Sequence, residues 1–150
     1  MPGSGPETIG ARLRKWSDDV LLLEFNGEIE MDTANVFREH LEVATKRKPK
    51  GIAVDLSQID YMDSSGVAVL IEVLRWCRRD GIRFLLVNPS QAVQRAKHVV
   101  HLSDAFETAA DRDAAWRVFV DSDLLPTPDV PDGTDAPAPE AAADLMTAGD

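Results

Sequence analysis

Gly51-Ile52-Ala53-Val54-Asp55-Leu56 is a short, almost continuous apolar run; a helical pattern from Ser64 to Asp80 follows it, Gly81 stops that helix, and Ile82 to Val87 is a second apolar run. Runs of this length and composition fit strands buried on both faces. Strand, helix and strand in that order predict a parallel crossover. Outward from this unit the alternation continues. Asn88-Pro89 breaks the second strand, Ser90 caps a helix to about His101, and Ala105 to Thr108 reads as a last short strand. Asp111 caps a final helix carrying Ala114, Trp116, Val118 and Phe119. Toward the N-terminus, Asp32 or Thr33 caps a helix to about Arg47, with Val36, Phe37, Leu41 and Ala44 on one face. Lys46-Arg47-Lys48 lies where cations meet the negative end of that helix dipole, with a basic docking patch as the alternative. Leu13 to Trp16 and Val20 to Phe25 read as two strands around Ser17-Asp18-Asp19, and Asn26-Gly27 ends the second. The reading is an α/β domain: a mixed, mostly parallel sheet of four to five strands with about four helices.

The 150 residues carry 16 Lys+Arg and 26 Asp+Glu, a formal charge of -10. Residues 118–150 hold eight of the acids and no Lys or Arg, leaving 18 acids against 16 bases before them. A near-neutral body with an acidic tail argues against nucleic-acid binding. With 44% apolar residues the chain can build a core. Residues 1–10 are rich in Gly and Pro and read as a flexible arm, 11–120 as one domain, and 121–150, with five of the nine prolines, as a disordered acidic Ala/Pro-rich tail. One cysteine, Cys77, excludes an internal disulfide and fits a reducing compartment. The sequence shows neither a signal-peptide pattern nor an apolar run long enough for a membrane span, so the expected location is the cytoplasm.

Asp60-Tyr61-Met62-Asp63-Ser64-Ser65-Gly66-Val67 joins the carboxyl end of a buried strand to a helix N-terminus, the edge where α/β proteins place their sites. A phosphate on Ser64 would meet free backbone N–H groups and the positive end of the helix dipole, while Asp60 and Asp63 would oppose it. The same residues also read as a plain cap, with Gly66 allowing close packing. Along the helix, Val67, Leu70, Ile71, Leu74 and Cys77 share the face expected to pack on the sheet. Val69, Val73 and Trp76 fall on a flank, with Val69 and Trp76 nearly opposite that face. Their spacing suits a helix-docking anchor set; packing of Trp76 under a neighbouring loop is the competing account.

Asp55-Leu56-Ser57 with Tyr61-Met62-Asp63-Ser64-Ser65-Gly66-Val67-Ala68-Val69-Leu70 resembles the core motif of STAS domains of the anti-sigma factor antagonist type. Gly27-Glu28-Ile29-Glu30 and Thr33-Ala34 are similar to that family's segment before its first helix, and Asn88-Pro89-Ser90 to its turn into the third. The similarity spans about residues 10–120. It implies a single STAS-like domain and a partner-switching role. The unphosphorylated form would bind an anti-sigma factor that is itself a serine kinase, freeing a sigma factor. Phosphorylation of Ser64, with Ser65 as the alternative, would end binding, and a serine phosphatase would restore it. Asp63 would orient the loop. Glu30, Asp32, Met62, Asp63, Ser65, Gly66, Val69, Val73 and Trp76 are the expected partner-binding residues. The alternative is a STAS scaffold subunit of a stress-sensing or lipid-transport assembly. Glu30 in place of Asp, Ala68 in place of Gly, and the tail depart from the family pattern.

No enzymatic chemistry is expected. Met62 fills the first glycine position of a serine nucleophile elbow, and none of His40, His98 and His101 has a visible acid-base setting. His98, His101 and Asp104 read as a solvated helix end rather than a metal corner. There is no phosphate-binding Gly-Lys loop, and no cofactor is expected.

Overall fold

The computed structural model describes residues 9–102 and 104–126. Strands β1 (Ile9–Lys15) and β2 (Val20–Ile29) form an antiparallel hairpin. Its turn is closed by the Ser17 hydroxyl, which accepts from the N–H groups of Asp19 and Val20 at 3.0 and 3.2 Å. Helix α1 (Ala34–Lys46), strand β3 (Gly51–Met62), helix α2 (Ser64–Asp80), strand β4 (Arg83–Val87), helix α3 (Gln91–Val99), strand β5 (Thr108–Ala109) and helix α4 (Arg112–Asp121) follow. The sheet order is β1-β2-β3-β4-β5, parallel from β2 onward. This is the expected mixed, mostly parallel α/β sheet, with five strands and four helices.

The apolar strands have helices on both faces. Leu21, Leu23, Phe25, Ile52, Val54, Leu56, Phe84 and Leu86 pack with α1, α2 and α3 on the front face. Their alternating neighbours Val20, Leu22, Ala53, Leu85 and Val87 pack with Ala115 and Phe119 of α4 on the back. Trp16 meets Trp116 edge-on at 5.2 Å between ring centroids. Edge-to-face rings of this kind add to the gain from burial.

Several local expectations are corrected. Gly10, assigned to the N-terminal arm, is already in β1, which begins four residues before Leu13. Asn26-Gly27 does not end β2. It marks register shifts between Glu24 and Asn26 and between Gly27 and Glu28, with Gly27 at φ 108, and pairing resumes to Ile29. The strand expected to end at Leu56 runs on through residues 57–62, so Asp60 to Met62 are not part of a connecting loop. They extend β3, because Glu28 and Ile29 of β2 pair with Tyr61 and Met62. Neither Asp32 nor Thr33 caps α1 through its side chain. The Thr33 hydroxyl instead accepts from Glu30 N–H at 3.0 Å and donates to Glu28 O at 2.9 Å, locking the β2–α1 turn. Val36 is exposed, and the buried face of α1 is Ala34, Phe37, Leu41, Ala44 and Thr45. The last strand is Thr108–Ala109 rather than Ala105 to Thr108. Leu125 is buried against the back cluster, so packed structure extends past the expected boundary at residue 120. The remainder of the expected arm and tail, residues 1–8 and 127–150, lies outside the described residues.

Helix α2 has the expected bounds. Asp63 caps it by accepting from Ser65 N–H, and Gly81 ends it at φ 71, donating to Arg78 O and Cys77 O. A glycine in this left-handed conformation closes a helix without the steric cost of a side chain. Cys77 is fully buried, and desolvation pushes its thiol up to about 12. The thiol is therefore protonated and inert at neutral pH, as expected of a small core residue.

Candidate functional site

The loop between β3 and α2 sits at the carboxyl edge of the parallel strands, beside the β2–α1 turn. Asp63 N–H donates to Ile29 O at 3.1 Å and ties the two connections together. The Asp63 carboxylate then organises the first turn of α2. One oxygen accepts from Ser65 N–H at 2.9 Å and also from the Ser65 hydroxyl. An Asp at this position satisfies a helix donor that would otherwise be unpaired and favours the positive end of the dipole.

The two serines are thereby made different. Ser65 is half-buried and its hydroxyl is engaged by Asp63. Ser64 is exposed at the first residue of α2, and its hydroxyl takes part in no hydrogen bond among the described residues. Glu30, Asp32 and Asp63 belong to the two connections and Glu28 and Asp60 to the strand ends that lead into them, with no Lys or Arg in residues 27–33 or 57–67. Met31 and Tyr61, 76% and 48% exposed, bring apolar surface to the same edge. Neither was singled out from the sequence. The available signal is that each is a large apolar residue set between acids at the end of a strand.

The glycine of the loop has a packing reason. A Cβ on Gly66 would stand 2.7 Å from Met62 Cγ and 2.9 Å from Ile29 Cγ2. Ile29 is β-branched and fully buried, so it has little room to yield. Gly66→Ala gains about 1 kcal/mol of helix propensity but loses about 1–3 kcal/mol to overpacking. A net loss of about 1 kcal/mol is expected in urea denaturation, together with displaced amide resonances for residues 62–66.

The expected partner-binding residues divide. Glu30, Asp32, Asp63, Ser64 and Ser65 lie together on this edge, with Asp32 and Ser64 exposed. Met62 and Gly66 are buried beneath it. The expected exposed flank of α2 does not exist: Val69 and Val73 are 5% and 0% exposed, and Trp76 is half-buried against the same core. The cause is α1, which lies alongside α2. Glu72, on the flank between Val69 and Trp76, pairs with Arg38 of α1 at 3.2 Å. The buried face of α2 is therefore Gly66, Val67, Val69, Leu70, Val73 and Cys77, and Ile71 and Leu74, expected on the sheet-facing stripe, are only half-buried. Trp76→Ala is therefore expected to cost about 2 kcal/mol of stability, less than the 3–5 kcal/mol of a fully buried Trp, and to leave partner affinity unchanged. Chemical denaturation and binding measured on the same variant check both halves.

Asp55 and Ser57 serve the fold from the back face. Asp55 accepts from Ser57 N–H at 2.9 Å and Ser57 Oγ at 2.7 Å through one oxygen, and from Arg112 Nε at 2.9 Å through the other. Arg112 also donates to Glu24, which accepts from Arg14 at 2.9 Å. No cluster of His, Cys, Asp and Glu able to hold a metal occurs among the described residues. Among the same residues, no helix is long and apolar enough to cross a membrane.

A five-stranded mixed sheet with a capped Asp-Ser-Ser-Gly turn leading into its second crossover helix is the architecture of one domain class. The STAS domain family matches residues 14–115, and the chain belongs to it. Its relatives include the anti-sigma-B factor antagonist of Listeria monocytogenes, 27% identical over 99 residues that cover 66% of this chain and 87% of that protein. The anti-sigma-B factor antagonist of Bacillus subtilis is 26% identical over 96 residues, covering 64% and 87%. Among solved structures, an anti-sigma factor antagonist from Mycobacterium paratuberculosis superposes with a TM-score of 0.67 at 23% identity, over 77% of this chain and 97% of that one. The anti-sigma factor antagonist SpoIIAA in its unphosphorylated form does so with a TM-score of 0.61 at 22% identity, over 73% and 96%. The likeness to these two structures is one of fold.

Proposed function

We propose that this chain is an anti-sigma factor antagonist whose binding is switched off by phosphorylation of Ser64. The observation that carries the reading is the unequal state of the two serines. Ser64 is an exposed hydroxyl at a helix start, while Ser65 is held by the capping carboxylate. In this reading the partner is an anti-sigma factor with serine-kinase activity. It docks on Glu30, Asp32 and Asp63, with Met31 and Tyr61 as the apolar contacts. ATP chemistry belongs to the partner, and a serine phosphatase returns the protein to its binding form.

The mechanism follows from the edge. Before modification, the Ser64 hydroxyl is uncharged and shares its edge of the sheet with Met31 and Tyr61, whose exposed apolar surface dries on docking. A phosphate adds about -1.5 to -2 charges there and brings a hydration shell that a close contact has to strip. Within the antagonist the helix N-terminus favours the phosphate while Asp60 and Asp63 oppose it, so the switch acts chiefly at the contact. Titration calorimetry of the unmodified chain against a candidate anti-sigma factor kinase from the same organism tests the reading. The expectation is a saturable complex that displaces the sigma factor. No complex, or a complex that leaves the sigma factor bound, would reject it.

A further inference from the structure

The crossovers part company at the edge of the sheet opposite the hairpin. The chain leaves β4 for α3 on the front face and leaves β5 for α4 on the back face, whereas β2 and β3 both send their helices to the front. Adjacent strands whose connections diverge leave a crevice at their carboxyl ends, the usual ligand position in open α/β sheets. The crevice here is a cavity of about 760 Å³ whose wall includes Asn88, Gln94, Arg95, Lys97, His98 and Thr108. Among the described residues, no carboxylate lines it. The contrasting cavity on the back face, about 490 Å³, has Arg12 and Arg112 matched by Glu24 and Asp55 in its own wall.

We propose that this crevice binds a small phosphate-bearing anion. Lys97 is 4% exposed, and none of the ion pairs among the described residues includes it. Its ammonium lies 5.8 Å from the Phe106 ring centroid. Burial pushes its pKa down, with the Asp104 carboxylate acting in the other direction. Asp111, which follows the lining residue Ala110, is committed to capping α4 through Ala114 N–H at 2.8 Å. The described lining carries the cations Arg95 and Lys97 and no carboxylate, and an anion in the crevice would balance that charge. Arg95 brings a guanidinium fork suited to paired phosphate oxygens, and Lys97 a compact charge. Asn88, Gln94 and Thr108 add neutral polar groups. The volume exceeds one phosphate and falls in the range of small-metabolite sites. A pyrophosphate or phosphate monoester matches both the charge and the size.

The test is amide chemical-shift mapping on the full chain with pyrophosphate and with glycerol 3-phosphate, and with sulfate at equal ionic strength as the charge control. Saturable shifts at Asn88, Gln94 and Thr108 with either phosphate are expected, and the stronger of the two identifies the class as inorganic or ester. Arg95→Gln and Lys97→Met are each expected to weaken binding at least about tenfold. Arg78→Gln, an exposed cation at the far end of α2, should leave it unchanged. Equal shifts with sulfate, shifts centred on residues 46–50 or 78–79, no shifts at all, or affinity indifferent to Arg95→Gln would overturn the proposal. Arg95 is exposed, so its variant decides the matter even where Lys97→Met does not fold.

Discussion

Arg112→Met is expected to destabilise the protein by about 3 kcal/mol, the largest loss anticipated for a polar substitution here. Arg112 bridges Asp55 of β3 and Glu24 of β2 from the first turn of α4, and the two carboxylates are 8% and 19% exposed as side chains. Removing one member of a buried ion pair leaves an uncompensated charge and typically costs about 3–5 kcal/mol. The lower end applies because Asp55 keeps both Ser57 bonds and Glu24 keeps Arg14. Arg112→Lys retains the charge but not the fork that reaches two carboxylates, so a partial loss is expected. Urea denaturation midpoints rank wild type, Arg112→Lys and Arg112→Met in that order. A change within about 0.5 kcal/mol for Arg112→Met would show that the network is solvated enough to be dispensable.

Ser64→Asp is expected to weaken binding to the anti-sigma partner at least about tenfold, or ~1.4 kcal/mol. The argument is one of placement. Ser64 opens α2 as an exposed residue on an edge rich in acids, so a fixed carboxylate there adds like charge and desolvation to any close contact. Asp carries one charge against nearly two for phosphate, so the modified protein should bind more weakly still. Ser64→Ala keeps the cap, because the capping bonds run between Asp63 and Ser65. It should fold and bind as wild type does. Calorimetry of the three proteins against one partner gives the series directly. Equal affinity for Ser64→Asp and wild type would place the contact elsewhere.

Local chemistry made some of this legible in the sequence. Helix α2 was bounded correctly because its stops are local: a carboxylate two residues before the N–H it caps, and a glycine that accepts positive φ. Other features depend on distant partners. Residues 57–62 look polar and loop-like, and become strand only because β2 extends far enough to pair with them. Asp55 is legible as a motif residue, but its partner Arg112 is 57 residues away. Val69 and Val73 have the right helical angle for an exposed flank. The buried face of α2 instead takes them in and leaves Ile71 and Leu74 half-buried, beside an α1 tied on by Arg38 and Glu72, and the period of α2 alone does not carry that. The site was legible as a loop. The difference between Ser64 and Ser65 rests on which hydroxyl Asp63 engages, and spacing alone does not decide that.

Site mapping of the modified protein tests the central claim most directly. The full chain is incubated with the anti-sigma factor and ATP, digested, and the phosphopeptide spanning residue 64 is fragmented by mass spectrometry. Phosphate on Ser64, absent from Ser64→Ala and accompanied by release of the complex, is the predicted result. Phosphate on Ser65, or a complex that dissociates equally well with Ser64→Ala and no modification, would contradict it.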